Sequence, residues 1–182
     1  MAVVNLAEHL RAHAVREGEF VLKSGRRSTW FCDAKQTTCR PEGMILVADA
    51  ALAVLPEDVT AIGGLTMGAD AVAFGVAAVA ATRGRHLRSF SVRKEAKDHG
   101  GGGRIAGALE PHDRVVIVED AVTRGVSMLE AADAVGDAGA VPVLLLSVVD
   151  RGGTVAAMAA DRGLPFVALV TAPDLGFPYE GP

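Results

Sequence analysis

The chain has 182 residues, of which 50% are hydrophobic and 4% aromatic, and its formal net charge is −4. This length and apolar content suit one domain over residues 1–182, large enough to bury a sizeable core. The acidic balance and the few aromatic side chains argue against a nucleic-acid partner. No apolar run reaches the roughly 18 residues of a membrane span. The expected partner is therefore a small molecule.

The cysteines, the histidines and the N-terminal sequence predict a cytoplasmic protein that holds no metal directly. Cys32 and Cys39 are the only cysteines, and their spacing fits neither a zinc site nor a Cys-x-x-Cys redox pair. The five histidines show no metal-ligand pairing. The N-terminus lacks the basic region and the cleavage pattern of a secretory signal. Reduced thiols are the default in the cytoplasm, which is the location we expect.

One helix and two short strands are predicted within the first forty residues. Asn5 and Glu8 make a capping pair for the helix. The strands are expected at residues 20–22 and 28–33, joined by a Lys-Ser-Gly-Arg turn. A proline then starts a helix over residues 41–55, which begins the larger part of the fold.

Apolar strands alternate with helical segments in the rest of the chain. The strands are expected at residues 60–62, 87–92, 115–118, 143–149 and 166–170. The helices are expected at residues 69–82, 127–138 and 154–162. Because βαβ crossovers are right-handed, this alternation predicts an α/β fold in which a parallel sheet is covered by helices on both faces.

An acidic pair, Glu119 and Asp120, follows directly on one of these strands. Residues 115–118 form a continuous apolar run, which is typical of a strand buried on both faces. Ligands of open α/β sheets bind at the carboxyl ends of the strands. Two adjacent carboxylates at that edge are suited to accept hydrogen bonds from vicinal hydroxyls such as those of ribose.

The turn after the acidic pair has the composition of a phosphate-binding loop. Gly125 permits a tight turn, and the free N–H groups at the start of the next helix point at an anion. Thr123 and Ser127 add hydroxyl donors. An alternative stays open for the whole segment, namely an ordinary strand with a solvated acidic end and a Thr or Ser helix cap.

A basic segment precedes this strand and runs into four glycines at residues 100–103. It carries four potential cations: Arg93, Lys94, Lys97 and His99. Such a segment suits a mobile lid that closes over a highly charged anion such as pyrophosphate. The alternative is a solvated basic loop without a ligand.

Two of these segments resemble motifs of the orotate phosphoribosyltransferase family, in the order that the family has them. Residues 114–127 resemble the family's motif for 5-phosphoribosyl 1-pyrophosphate (PRPP), an apolar run followed by two acids and a Thr-x-Gly-x-Ser turn. Residues 92–100, Val-Arg-Lys-Glu-Ala-Lys-Asp-His-Gly, resemble its catalytic loop. Residues 22–33, 62–70 and 149–151 resemble further landmarks, so the resemblance runs from about residue 19 to about residue 175.

The resemblance implies the fold of a type I phosphoribosyltransferase, with a parallel sheet flanked by helices. It also implies a small N-terminal hood at residues 1–40, a PRPP-binding core at residues 41–175 and a mobile Gly-rich lid. The implied reaction converts orotate and PRPP to orotidine 5′-monophosphate and pyrophosphate, with Mg²⁺ carried mainly by PRPP. The implied assembly is a homodimer in which the lid reaches into the neighbouring subunit's site.

The resemblance also implies roles for particular residues. Lys97 and His99 would act in catalysis. The PRPP-binding residues would be Arg93, Lys94, Lys97, His99, Glu119, Asp120, Ala121, Val122, Thr123, Arg124, Gly125, Val126 and Ser127. The orotate-binding residues would be Lys23, Phe31, Thr123 and Arg151, with Arg151 facing the carboxylate of the base.

Three positions depart from the family's pattern. Arg124 stands where family members usually have a small residue, Met67-Gly68 where many have Tyr-Lys, and Ala106 where an acid is common. Two other functions therefore stay open. Beside the orotate enzyme, these are a type I phosphoribosyltransferase for another base and a non-catalytic PRPP-binding regulator, although a regulator normally adds a nucleic-acid-binding domain and loses the cations of the lid.

Overall fold

The computed structural model describes residues 5–21, 25, 27–96 and 103–181. The N-terminal segment, residues 5–40, contains four elements: α1 (Leu6–His13), β1 (Val15–Val21), β2 (Arg27–Cys32) and α2 (Lys35–Thr38). Asn5 and Glu8 form the predicted capping box, with hydrogen bonds of 2.9 and 3.0 Å between each side chain and the other residue's backbone N–H. β1 and β2 pair as an antiparallel ribbon.

The remaining helices and strands alternate along the chain. They are α3 (Pro41–Val54), β3 (Ala61–Leu65), α4 (Gly68–Thr82), β4 (Arg88–Val92), β5 (Ile105–Gly107), β6 (Arg114–Val122), α5 (Val126–Asp137), β7 (Val141–Asp150), α6 (Val155–Ala160) and β8 (Phe166–Thr171). A short 3₁₀ turn, Pro173–Leu175, follows.

Six of the strands form one sheet in the order β5-β4-β3-β6-β7-β8. All neighbours in it are parallel except β5, which pairs antiparallel with β4. The predicted parallel sheet flanked by helices is therefore confirmed, with one antiparallel strand at its edge. β5 and the four-residue helix α2 were not predicted, because elements this short carry no readable periodicity.

The sheet divides two hydrophobic cores, and β6 contributes to both. Val116 and Val118 pack in the core that also contains buried residues of α1, α3 and α4. Val115 and Ile117 point to the opposite face, where they pack with buried residues of α5 and α6. Because successive side chains of a strand alternate between faces, the apolar run fills both cores and fixes the strand between them.

β6 is longer than the sequence indicated, so the acidic pair lies inside the strand and not after it. β6 stays in register with β7 as far as Val122, which pairs with Asp150. β7 itself ends at Asp150. Both strands therefore reach the same edge of the sheet, and the backbone of the acidic pair is held by the ladder. Among the described residues, no helix is long and apolar enough to cross a membrane.

Candidate active site

The turn between β6 and α5 forms one wall of a pocket of about 240 Å³. Its lining consists of Glu119, Ala121, Val122, Thr123, Arg124, Gly125, Val126 and Ser127. We call it the phosphate-side pocket. Gly125 has a φ of 74°, and a Cβ there would lie 3.0 Å from the Val155 side chain. The turn therefore needs glycine both for its backbone conformation and for its contact with α6.

The acidic pair is buried, so the alternative of a solvated acidic end is wrong. Glu119 is 9% exposed and Asp120 is 6% exposed. Burial, and then the charge of Asp120, raises the pKa of Glu119 to about 8. Asp120 accepts a hydrogen bond from the Ala121 N–H at 2.9 Å and forms an ion pair with Lys35. The acidic pair therefore holds a proton more strongly than separate carboxyl groups would, and the Lys35 ammonium lies against Asp120.

Lys35 is a site residue that the sequence did not reveal. It lies on α2, 85 residues before Asp120 in the chain. Burial opposes its charge, but the hydrogen bond and the charge of Asp120 outweigh burial and raise the pKa of Lys35 above its usual value. A single lysine in a four-residue helix carries no motif, so only the folded structure brings it to the acidic pair.

Gly68, one of the departures from the family pattern, has its structural explanation in the acidic pair. A Cβ at this position would lie 1.9 Å from Oε1 of Glu119 and 2.7 Å from Oδ1 of Asp120. The two carboxyl groups therefore occupy the space that a side chain at the start of α4 would need. The neighbouring loop is held by Asp70, which accepts hydrogen bonds of 2.7 Å from the hydroxyls of Thr66 and Ser91.

The basic segment leaves the sheet between β4 and β5. The Arg93 N–H donates to the Arg104 carbonyl at 2.7 Å, and Nε of Arg104 donates to the Arg93 carbonyl at 2.8 Å. Arg104 also forms an ion pair with Glu130 of α5, which ties the base of the segment to the helix after the phosphate-side pocket. Lys94 is exposed. The predicted catalytic residues, Lys97 and His99, lie outside the described residues.

Arg151, predicted to face orotate, is paired with a carboxylate of its own chain. It is 7% exposed, and its Nη2 lies 2.9 and 2.8 Å from the two carboxylate oxygens of Glu180. Ser28 also donates to Glu180. The Arg151 guanidinium lies 4.7 Å from the Trp30 ring centroid and 5.8 Å from that of Phe31. We call Trp30, Phe31, Arg151 and Glu180 the base-side cluster.

Of the predicted orotate residues, Phe31 and Arg151 thus come together, and Lys23 lies outside the described residues. Thr123 lines the phosphate-side pocket instead. Its backbone nevertheless lies next to the backbone of Arg151 and Gly152, because β6 and β7 are neighbouring strands. The Arg151 N–H donates to the Val122 carbonyl at 2.8 Å, and a Cβ on Gly152 would lie 1.8 Å from the Thr123 carbonyl oxygen. The two parts of the site therefore meet at a tight contact between backbones.

Arg124 and Ala106 are the other two departures. Arg124 is exposed where it lines the phosphate-side pocket. Within the described part of the chain its side chain has no hydrogen-bond or ion-pair partner, so it is available to an anion. Ala106 is half-buried in β5, opposite Ser91 of β4. The β4–β5 pairing that contains it is antiparallel and regular over the three residues of β5.

The fold and the site together define a type I phosphoribosyltransferase. A phosphoribosyltransferase from Corynebacterium diphtheriae has a similar structure, with a TM-score of 0.83 and 34% identity, and the match covers 94% of this chain and 96% of that one. The chain is also 39% identical over 168 residues to the orotate phosphoribosyltransferase of a Nostoc species, a match that covers 92% of this chain and 82% of the relative.

A solved relative carries one of the expected ligands. The orotate phosphoribosyltransferase of Mycobacterium tuberculosis H37Rv, in complex with PRPP, matches with a TM-score of 0.78 and 32% identity over 94% of this chain and 97% of that one. The present chain belongs to the orotate phosphoribosyltransferase family. No family model matches it.

Proposed function

We propose that the protein transfers the phosphoribosyl group of PRPP to orotate, giving orotidine 5′-monophosphate and pyrophosphate, a step of pyrimidine biosynthesis. The observation that carries the proposal is the phosphate-side pocket, in which buried Glu119 lies beside the turn that starts a helix, with buried Asp120 next to it in the strand. Carboxyl groups suit ribose hydroxyls, and the N–H groups of a helix start suit a phosphate. The similar M. tuberculosis protein, solved with PRPP, supports the same ligand.

In this proposal PRPP lies across the turn after β6. Glu119 and Asp120 accept hydrogen bonds from the ribose hydroxyls. The 5′-phosphate binds the backbone N–H groups of residues 123–127 and the hydroxyls of Thr123 and Ser127. Ala121, Val122, Gly125 and Val126 shape the wall of the pocket, and exposed Arg124 adds a cation at its rim.

The chemistry requires charge stabilisation more than covalent work by the protein. The bond between the anomeric carbon and the pyrophosphate oxygen breaks, a bond to a ring nitrogen of orotate forms at the same carbon, and that nitrogen gives up its proton. Negative charge grows on the departing pyrophosphate, so cations aimed at it lower the barrier. We assign this role to Arg93, Lys94, Lys97 and His99. The roles of Lys97 and His99 stay predictions from the resemblance.

Mg²⁺ is proposed to arrive with PRPP and to partly neutralise its pyrophosphate. Among the residues that the structure describes, no group of three or more His, Cys, Asp or Glu side chains is placed to hold a metal ion. The acidic pair is not a ready metal site either, because Lys35 already pairs with Asp120 and the pKa of Glu119 is about 8. We therefore assign no protein ligand to the metal.

Orotate is proposed to bind at the base-side cluster, between Phe31 and the Arg151 guanidinium, beside Thr123. A carboxylate on Arg151 matches the planar fork of this side chain. Because Glu180 already pairs with Nη2 of Arg151, we expect the orotate carboxylate to take the place of Glu180 at this nitrogen. The convergence of Phe31 with Arg151 favours orotate over a base that lacks a carboxylate.

The assay that tests the proposed function mixes the purified protein with orotate, PRPP and Mg²⁺ and follows the loss of orotate absorbance. We expect orotidine 5′-monophosphate and pyrophosphate to appear in equal amounts, and uracil in place of orotate to give far less product. PRPP binding without turnover would indicate a regulator, and equal turnover of uracil would indicate another base. The single domain, the homodimer with a shared lid and the cytoplasmic location stay predictions.

A further inference from the structure

The ion pair between Lys35 and Asp120 connects the N-terminal segment to the acidic pair. The Asp120 side chain is 8% exposed, whereas that of Lys35 is 41% exposed. A carboxylate this deeply buried is stabilised by a charged partner and by hydrogen bonds. Lys35 is the one cation that forms an ion pair with either member of the acidic pair among the described residues.

The pair leaves Asp120 able to bind a further ligand. Its Oδ1 accepts from the Ala121 N–H and its Oδ2 accepts from Lys35. The Glu119 carboxyl shares a further side-chain hydrogen bond with Asp120, and a carboxylate offers about four lone-pair sites, so one site remains for a hydroxyl donor. Lys35 therefore orients the carboxylate without consuming its capacity to accept.

α2 holds Lys35 in place although the helix has only four residues. Thr37 and Thr38 are buried beneath it, and the Thr37 hydroxyl lies 3.1 Å from Nδ1 of the buried His9. The Asp33 N–H just before α2 donates to the Ala14 carbonyl at 2.9 Å. The backbone that carries Lys35 is thus anchored to α1, within reach of Asp120.

We propose that Lys35 is a positioning residue for PRPP, which holds the acidic pair in the orientation and charge balance that the ribose hydroxyls require. This inference rests on the proposed function, since it takes PRPP as the ligand of the acidic pair. Lys35 acts through Asp120 and is not itself assigned a contact with the reacting atoms.

The charges around the acidic pair support this role and set the direction of a pH effect. Lys35 faces it from the N-terminal segment, with Asp33 acting on Lys35. The nearby Cys32 thiol is neutral, because burial raises its pKa to about 12. Arg151 is near enough to act on Cys32. Burial and Asp120 raise the pKa of Glu119 to about 8, and Lys35 works in the opposite direction. Without Lys35, Glu119 would keep its proton to a higher pH.

The test compares PRPP binding to Lys35→Met, Lys35→Arg and Arg162→Met by calorimetry, with Mg²⁺ and without orotate, at several pH values. Arg162 is the matched control, because its ion pair with Asp133 is exposed on both sides. We expect Lys35→Met to weaken PRPP binding at neutral pH by about tenfold or more, since it removes a charge-assisted hydrogen bond. Lys35→Arg should restore most of the affinity, and Arg162→Met should bind as the unaltered protein does.

The pH profile separates positioning from a merely structural role. Loss of the Glu119 proton adds negative charge that can accept a ribose hydroxyl, so PRPP affinity should rise as the pH passes about 8, and in Lys35→Met this rise should move to higher pH. Affinity equal to that of the unaltered protein at every pH would overturn the inference, and so would tighter binding, which would make Lys35 a competitor of PRPP. If Lys35→Met does not fold, Lys35→Gln is measured in its place, since it removes the charge but keeps a hydrogen-bond donor. PRPP affinity equal to that of the unaltered protein, or tighter, would again overturn the inference.

The two proposals fail in different ways. If the unaltered protein binds no PRPP, the proposed function falls, and the role of Lys35 falls with it. If the unaltered protein binds PRPP and consumes orotate while Lys35→Met does the same with equal constants, only the role of Lys35 is overturned.

Discussion

The phosphate-side pocket and the base-side cluster lie side by side, but the chain assembles them differently. The pocket is lined by Glu119 and residues 121–127, which form one strand end, one turn and one helix start. The cluster joins Trp30 and Phe31 of β2, Arg151 after β7 and Glu180 near the far end of the described chain. Local backbone geometry therefore builds the first part, whereas side chains from distant segments build the second.

The phosphate-side pocket and the base-side cluster also differ in whether their binding groups already have partners within the chain. In the phosphate-side pocket the backbone donors and the exposed Arg124 side chain face open space. In the base-side cluster the Glu180 carboxylate is already paired with Arg151, while Phe177 stacks on Trp30 with ring centroids 4.6 Å apart. PRPP should therefore enter a largely formed site, whereas the carboxylate of orotate should replace that of Glu180 as the partner of Arg151.

Gly152→Ala should have the largest effect, because Gly152 lies where the two parts touch. Its Cβ would meet the Thr123 carbonyl oxygen at 1.8 Å, and a backbone atom cannot rotate away as a side chain can. We expect a loss of about 1–3 kcal/mol in the free energy of unfolding and weaker binding of both substrates. Thermal unfolding and calorimetry check this. Gly136→Ala, which has nothing within 4 Å of its Cβ, is the control and should not destabilise.

Gly68→Ala should affect only the phosphate side. The added Cβ would displace the ends of the Glu119 and Asp120 side chains, so PRPP affinity should fall by about tenfold or more, a change of about 1.4 kcal/mol. The apparent affinity for orotate, measured at saturating PRPP, should change little. Unchanged PRPP affinity would show that the acidic pair is not where ribose binds.

Glu180→Gln should affect only the base side. Removing the carboxylate frees Arg151 for orotate, so the KM for orotate should fall by several-fold, while the PRPP affinity stays constant. The free protein should become less stable, because a buried guanidinium loses its charged partner. Added orotate should then raise the Tm of the variant more than that of the unaltered protein. A higher KM for orotate would instead make Glu180 a supporting residue for Arg151.

The remaining prediction concerns the pH dependence of stability that Glu119 introduces on the phosphate side. Its pKa is raised from 4.5 to about 8 by burial and by Asp120, so the native state binds a proton that the unfolded state has lost. Its contribution to stability is thus fully present below pH 4.5 and is lost as the pH rises to about 8. Glu119→Gln should flatten that part of the stability profile in urea titrations. An unchanged slope would assign the pH dependence to other groups.

Much of the core and of the phosphate side could be predicted because their signals are local. The apolar run at residues 115–118 indicated a buried strand, and the following turn indicated a helix start, which the structure places at Val126. The position of β6 in the centre of the sheet explains why all four residues of the run 115–118 are buried. The extension of β6 to Val122 could not be predicted, because it depends on pairing with β7.

The sequence by itself determined the alternation of strands and helices, the acidic pair and the glycine turn, since each depends on neighbours a few residues apart. Only the tertiary structure decided that Lys35 neutralises Asp120 and that Glu180 pairs with Arg151. These partners are 85 and 29 residues apart along the chain. No local pattern encodes such pairs, because they arise from the packing of the N-terminal segment and of the residues after β8 against the carboxyl edge of the sheet.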